Sequence, residues 1–199
     1  MPLIAPRPFR RNRSLFAGAQ AGLIAMFLVA TPAFSWELSG SKALIAHTRD
    51  QQHIRLGNVN FTPAADGKTA FSIAMDPARF TDHFLSMKEF KCLDGAGEVV
   101  CHVPYPYRQP GTVSAGNYTW LEHSLLFLFK QPTDFGAKLW NGLIFRFERT
   151  DAGLVGHPQS VDLNEISAPP DVPNVPPYGP AQRSEVAAGA RWLESITIE

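Results

Sequence analysis

Residues 59–73 read VNFTPAADGKTAFSI, and the way this stretch folds back on itself decides the fold. Val59 and Phe61 alternate with polar residues before Ala65-Asp66-Gly67, and Phe71 and Ile73 alternate after it. Period-two alternation on both sides of a turn signal is a β-hairpin with one apolar face. A two-residue turn at Asp66-Gly67 would set Phe61 opposite Ser72 and split that face. A three-residue loop with Gly67 in the left-handed conformation sets Phe61 opposite Phe71 and Val59 opposite Ile73, and this register is expected. Asp151-Ala152-Gly153 offers the same turn chemistry between residues 143–149 and 154–157.

A second hairpin carries the chain's two cysteines. Residues 92–101 read CLDGAGEVVC. A turn centred on Ala96-Gly97 places Cys92 directly opposite Cys101, where a cross-strand disulfide is expected. Catalytic dithiols favour Cys-x-x-Cys spacing at a helix start, which this hairpin lacks, so the pair reads as a staple. A metal site here would need further ligands, and His102 is the only obvious neighbour.

Working outward, residues 42–47 and 52–62 read as strands around the polar turn 48–51. Residues 84–92 and 99–103 are the arms of the cysteine hairpin. Pro104-Tyr105-Pro106-Tyr107 reads as a rigid connector, because alternating prolines remove donors and hold the backbone extended. Thr119 and Glu122 have capping-box spacing, and Leu121, Leu125 and Leu128 recur at helical intervals, predicting one helix over 119–130. Residues 125–129 alone would also suit a buried strand. Leu139 to Phe147 alternate as a strand interrupted by Asn141-Gly142, a hairpin or bulge signal. Six prolines in the segment 169–180 exclude regular structure beyond polyproline II. Trp192, Ile196 and Ile198 predict a final strand. The fold class is therefore mainly β, a β-dominated α+β chain of about eight strands. It is expected as an antiparallel meander, closed or partly open as a barrel, with one helix and one hairpin disulfide.

The first 35 residues carry a different pattern. Arg7, Arg10, Arg11 and Arg13 precede an apolar run from Leu15 to Ala30, then Pro32 and Ala33-Phe34-Ser35. This is the layout of a secretory signal peptide, with residues 36–199 left as a single exported domain. An uncleaved anchor is the alternative. The apolar run falls short of the roughly 20 residues a membrane span needs, and no stable span is expected after cleavage. The leader holds four of the chain's 18 basic residues and none of its 18 acids, so the remainder is mildly acidic. No basic stripe marks a nucleic-acid partner. A periplasmic or secreted location follows, where cysteines pair.

Candidate chemistry is sparse. The histidines are His47, His53, His83, His102, His123 and His157, and none forms a zinc motif. A turn centred on Asp50-Gln51 would pair His53 with Thr48 and turn His47 to the other face. Ser39-Gly40-Ser41-Lys42 matches the Ser-x-x-Lys of penicillin-recognising enzymes, but its partner motifs are absent. No catalytic residue, metal site or cofactor is assigned. Tyr105, Tyr107, Tyr118 and Trp120 bracket a Pro/Gly-containing loop and form the candidate binding surface, since such rings offer large area and a polar handle. The expected function is non-enzymatic binding, of a small apolar ligand or an envelope protein. The alternatives are an extracytoplasmic hydrolytic or metal-dependent enzyme with histidines converging from distant strands, and an assembly component acting through segment 169–180.

Overall fold

A computed structural model describes residues 36–85 and 88–199, with Pro2 alone ahead of them. Apart from Pro2, the expected leader lies outside the described residues. Among the described residues no helix is long and apolar enough to cross a membrane. The chain opens with β1 (Gly40–Thr48), β2 (His53–Pro63), β3 (Thr69–Met75), β4 (Thr81–Leu85), β5 (Lys88–Asp94) and β6 (Val99–His102). It continues with β7 (Thr112–Val113), α1 (Thr119–Ser124), β8 (Phe127–Lys130), β9 (Gly142–Arg149) and β10 (Leu154–Val161). It ends with β11 (Ser184–Glu185) and β12 (Leu193–Ile198). The described strands number twelve rather than about eight, because residues 84–92 divide between β4 and β5 and the two-residue strands β7 and β11 add to the sheet.

The strands form one antiparallel sheet in the order β4-β5-β6-β8-β9-β10-β12-β1-β2-β3-β7, with β11 beside β10. It departs from a simple meander at β7, which pairs with β3 at one edge, at β11, and at the last strand. The last strand, β12, lies between β10 and β1, which makes the first and last strands neighbours in mid-sheet. Hydrogen bonding does not close the sheet, so the open alternative is the one adopted. The sheet nevertheless curls. Nine strand spacings separate β4 from β3, about 43 Å if flat. Residues 76–80 join the two strands, a link that reaches at most about 22 Å. Asp76 starts that link by donating its N–H to the Leu56 carbonyl (2.7 Å) and accepting from Ala78 N–H (3.1 Å).

Curling gives the sheet an inside and an outside, and its central strands are buried on both. Leu93, Val100, Phe127, Leu143 and Phe145 join Leu44, Val59, Phe61, Ile196 and Ile198 in the inner core. Cys92, Cys101, Leu128 and Ile144 point the other way, into an outer apolar layer with Leu126, Val161, Leu163 and Ile166. This two-sided burial corrects the expected helix over 119–130. Only Thr119–Ser124 is helical, and the second half becomes β8, paired with β6. Leu125 and Phe127 enter the inner core while Leu126 and Leu128 enter the outer layer. A run that is apolar on both sides suits a covered strand better than a helix with one wet face.

Hairpin registers divide by where the left-handed residue lies. Phe61 faces Phe71 and Val59 faces Ile73, with Gly67 at φ 77°, as expected. Cys92 faces Cys101 and is bonded to it. The first hairpin differs, because Gln51 itself adopts φ 62° and gives a three-residue loop. His47 therefore faces His53, not the opposite side. The 151–153 loop differs in the other sense. Leu154 pairs with Arg149 around a two-residue turn at Asp151-Ala152. Gly153 stands there for close approach, since a Cβ would come within 2.2 Å of the Ile198 carbonyl oxygen. Asn141-Gly142 makes neither hairpin nor bulge. Asn141 N–H closes a turn on the Lys138 carbonyl (2.9 Å), and β9 begins at Gly142.

Removing the staple by the double substitution Cys92→Ala/Cys101→Ala is expected to lower unfolding free energy by about 2–3 kcal/mol. The check is a lower urea midpoint at unchanged slope; an unmoved midpoint would mean that strand pairing alone holds the hairpin.

Candidate functional site

Helix α1 is short but serves three regions. Leu121 enters the inner core, Trp120 and His123 face the outer layer, and Glu122 points along the edge of β9. The expected capping box does not form. Tyr118 is the N-cap and makes no side-chain cap, while Thr119 N–H donates to Asn117 Oδ1 (3.2 Å). Glu122 is used elsewhere because β9 runs short of partners. β8 pairs with β9 only at Leu143 and Gly142. The Phe147 N–H further along donates to Glu122 Oε1 (3.0 Å), and Arg183 Nη1 donates to Oε2 (2.8 Å). Both ionic side chains are almost fully buried.

His123 is wholly buried beside this pair. Its Nδ1–H donates to the Thr119 carbonyl (2.7 Å), and Nε2 accepts from Tyr178 N–H (3.2 Å), which fixes a neutral tautomer. Burial is the main reason its pKa falls to about 4; the Arg183 charge adds to the fall, and the bond to Thr119 opposes it. The Tyr178 ring stacks on the imidazole at 5.4 Å, and its hydroxyl donates to the Asp162 carbonyl (2.9 Å). Arg183 Nε also donates to the Tyr178 carbonyl (3.0 Å). One end of the proline-rich segment is thereby pinned to the outer layer.

Three of the four expected surface rings meet here. Tyr105 lies 5.5 Å from Tyr107, 5.9 Å from Trp120 and 6.1 Å from His123, centroid to centroid. Tyr105 is buried, Tyr107 and Trp120 half-buried. Tyr118 is not with them. It sits in the inner core, and its buried hydroxyl has no hydrogen-bond partner among the described residues.

Beside Tyr105 the outer face opens into a groove of about 670 Å³. Leu85, Phe90, Val103, Tyr105, Leu139 and Ile166 supply its apolar lining. The polar groups are few. His102 donates Nε2–H to the Ser124 carbonyl (3.0 Å), and burial lowers its pKa. Lys91 is engaged by Asp82 and Glu89. Lys88 holds its ammonium over the Phe90 ring at 5.6 Å and makes no ion pair among the described residues.

The other histidines do not converge on this groove. His47 and His53 meet edge to face at 4.6 Å, with His47 Nε2 on Thr197 Oγ1 (2.8 Å). His83 pairs with Asp94 (2.8 Å). Among the described residues no three His, Cys, Asp or Glu side chains are grouped to hold a metal ion. Sequence reasoning missed Glu122, Arg183, Gln159 and Tyr178 as a group. They come from three distant parts of the chain, around 122, 159 and 178–183, and the local signal was an aromatic residue amid prolines. No protein-family model, curated protein or solved structure matches this chain.

Two measurements check this arrangement. Glu122→Gln leaves the Arg183 charge buried without its partner, and the unfolding free energy is expected to fall by about 3–5 kcal/mol in urea titrations. His123 is harder to protonate in the fold than in the open chain. Its contribution is complete above about pH 6.5 and is lost as pH falls toward 4, roughly 3 kcal/mol in all. His123→Gln should flatten the stability–pH curve over that window; an unchanged slope would contradict the buried neutral imidazole.

Proposed function

We propose that the chain is an extracytoplasmic binding protein without catalytic chemistry of its own. Its groove beside Tyr105 takes a small amphipathic molecule, with an apolar body and an acidic end group. The observation that carries this reading is the groove's composition: about 670 Å³, mostly apolar walls, and one ammonium, Lys88, free of ion pairs among the described residues. Binding cavities combine apolar lining with a few placed polar groups in this way. An anionic head group would add a charge-assisted contact to Lys88. The Cys92–Cys101 disulfide and the leader pattern at residues 1–35 support an oxidising, exported setting.

Titration with 1-anilinonaphthalene-8-sulfonate and with palmitate tests the reading. Saturable binding at one site is expected, in the micromolar range. Leu139→Asp should weaken both probes about tenfold or more. Lys88→Glu should weaken them about three- to tenfold while leaving a neutral apolar probe such as 1-naphthol unaffected. Binding that ignores both substitutions would place the ligand elsewhere and end the proposal.

A further inference from the structure

Gln51 decides which side chains meet at the end of the first hairpin. It holds φ at 62°, a conformation costly for a glutamine, and the resulting three-residue loop sets His47 opposite His53. A two-residue turn would have put the two rings on opposite faces of the sheet. Asp50 locks the loop in place, accepting from Gln52 Nε2 (2.7 Å), from Trp192 Nε1 (2.8 Å) and from Thr48 Oγ1. Leu44 and Ala46 enter the inner core, so His47 at the alternate position points outward. The pair shares no residue with the groove beside Tyr105 and does not rest on that reading.

The spacing of the two rings fits a chelate. Their centroids lie 4.6 Å apart with the planes at 67°. Two imidazoles bound to one ion through nitrogens at about 2.0–2.1 Å, about 90–110° apart, have centroids about 4.5–5.2 Å from one another. Both rings can be approached. His53 is exposed, and its ring nitrogens make no hydrogen bond among the described residues. His47 is half-buried. Its Nε2–H donates to Thr197 Oγ1 (2.8 Å), while Nδ1 keeps its lone pair and is not closed off from solvent. A ligating histidine commonly gives its second ring N–H to an acceptor in this way, which fixes the ring and its tautomer. Glu199 continues the pairing of β12 with β1 two residues beyond Thr197, so it brings a carboxylate to the same face. Imidazole ligands suit Zn²⁺ and Cu²⁺, whereas Ca²⁺ and Mg²⁺ require oxygen. We infer that His47 and His53 together bind one divalent ion of the zinc and copper class on the outer face of the β1–β2 hairpin, with water in its remaining positions.

Titration of the chain, free of any histidine tag, with ZnCl₂ tests the site, read by NMR of the histidine ring protons. The His47 and His53 signals should shift saturably and together, with a Kd of about 100 μM or tighter, while those of His83 and His157 stay in place over the same range. CaCl₂ should move none of them. His47→Gln and His53→Gln should each weaken Zn²⁺ about tenfold or more, because a chelate needs both rings. His53 is exposed, so its variant keeps the fold, and the amide spectrum of the inner core reports folding of both variants. Absence of shifts at the pair up to about 1 mM Zn²⁺ would overturn the inference. So would a shift confined to one of the two rings, or Zn²⁺ binding that His53→Gln leaves unchanged.

Discussion

Everything in this molecule hangs on a short tether. Five residues join strands that stand nine places apart in the sheet, so a flat sheet is impossible and the strands must wrap. Wrapping encloses Leu44, Phe61, Phe127 and Ile196. It also leaves a convex outer face on β5, β6, β8 and β9 that is still apolar. That face needs a cover, and the segments after β6, before β9 and after β10 supply it. Because the cover is made of irregular chain, it leaves gaps between its pieces, and the groove beside Tyr105 is one of them.

Irregular chain is held against the sheet by the same device twice. Glu122 takes the Phe147 N–H and Arg183, and Glu98 takes the Trp192 N–H (2.8 Å) and Arg191 (2.7 Å). Each buried carboxylate thus meets one cation and one backbone donor. Burying a charge is tolerable only when such partners replace the lost water. The first pair fixes the proline-rich segment through Tyr178. The second fixes the start of β12 by seating the Trp192 ring against Gly95, where no Cβ would fit. Arg191 also lies over the Phe129 ring at 4.0 Å.

Local pattern made much of the sheet readable and almost none of the site. The Val59–Ile73 and Cys92–Cys101 registers were legible because each loop has glycine where φ is positive. The His47–His53 register was hidden because Gln51 takes that conformation, at a cost no composition rule anticipates. Gly153 misled in the opposite way, being small for the sake of β12 rather than for its turn. Thr119 and Glu122 have the spacing of a cap, yet Glu122 answers a strand 25 residues away. The groups around Gln159 and Arg183 are joined only by the fold, so no window of sequence contains them.

The neighbouring of β1 and β12 has a consequence in time. His47 reaches Thr197 across 150 residues of chain. Until that contact forms, β1–β3 and the remaining strands share only the two-residue pairing of β3 with β7, and β1 and the Leu154–Gly156 end of β10 lack their β12 partner. Pairings of such long range are slow to close, and open edges meanwhile invite wrong partners. Emergence of the chain from its N-terminal side therefore yields no complete sheet before its final strand arrives. β12 is thus the strand that joins the two halves along their long edges, and the sheet is complete only with it in place.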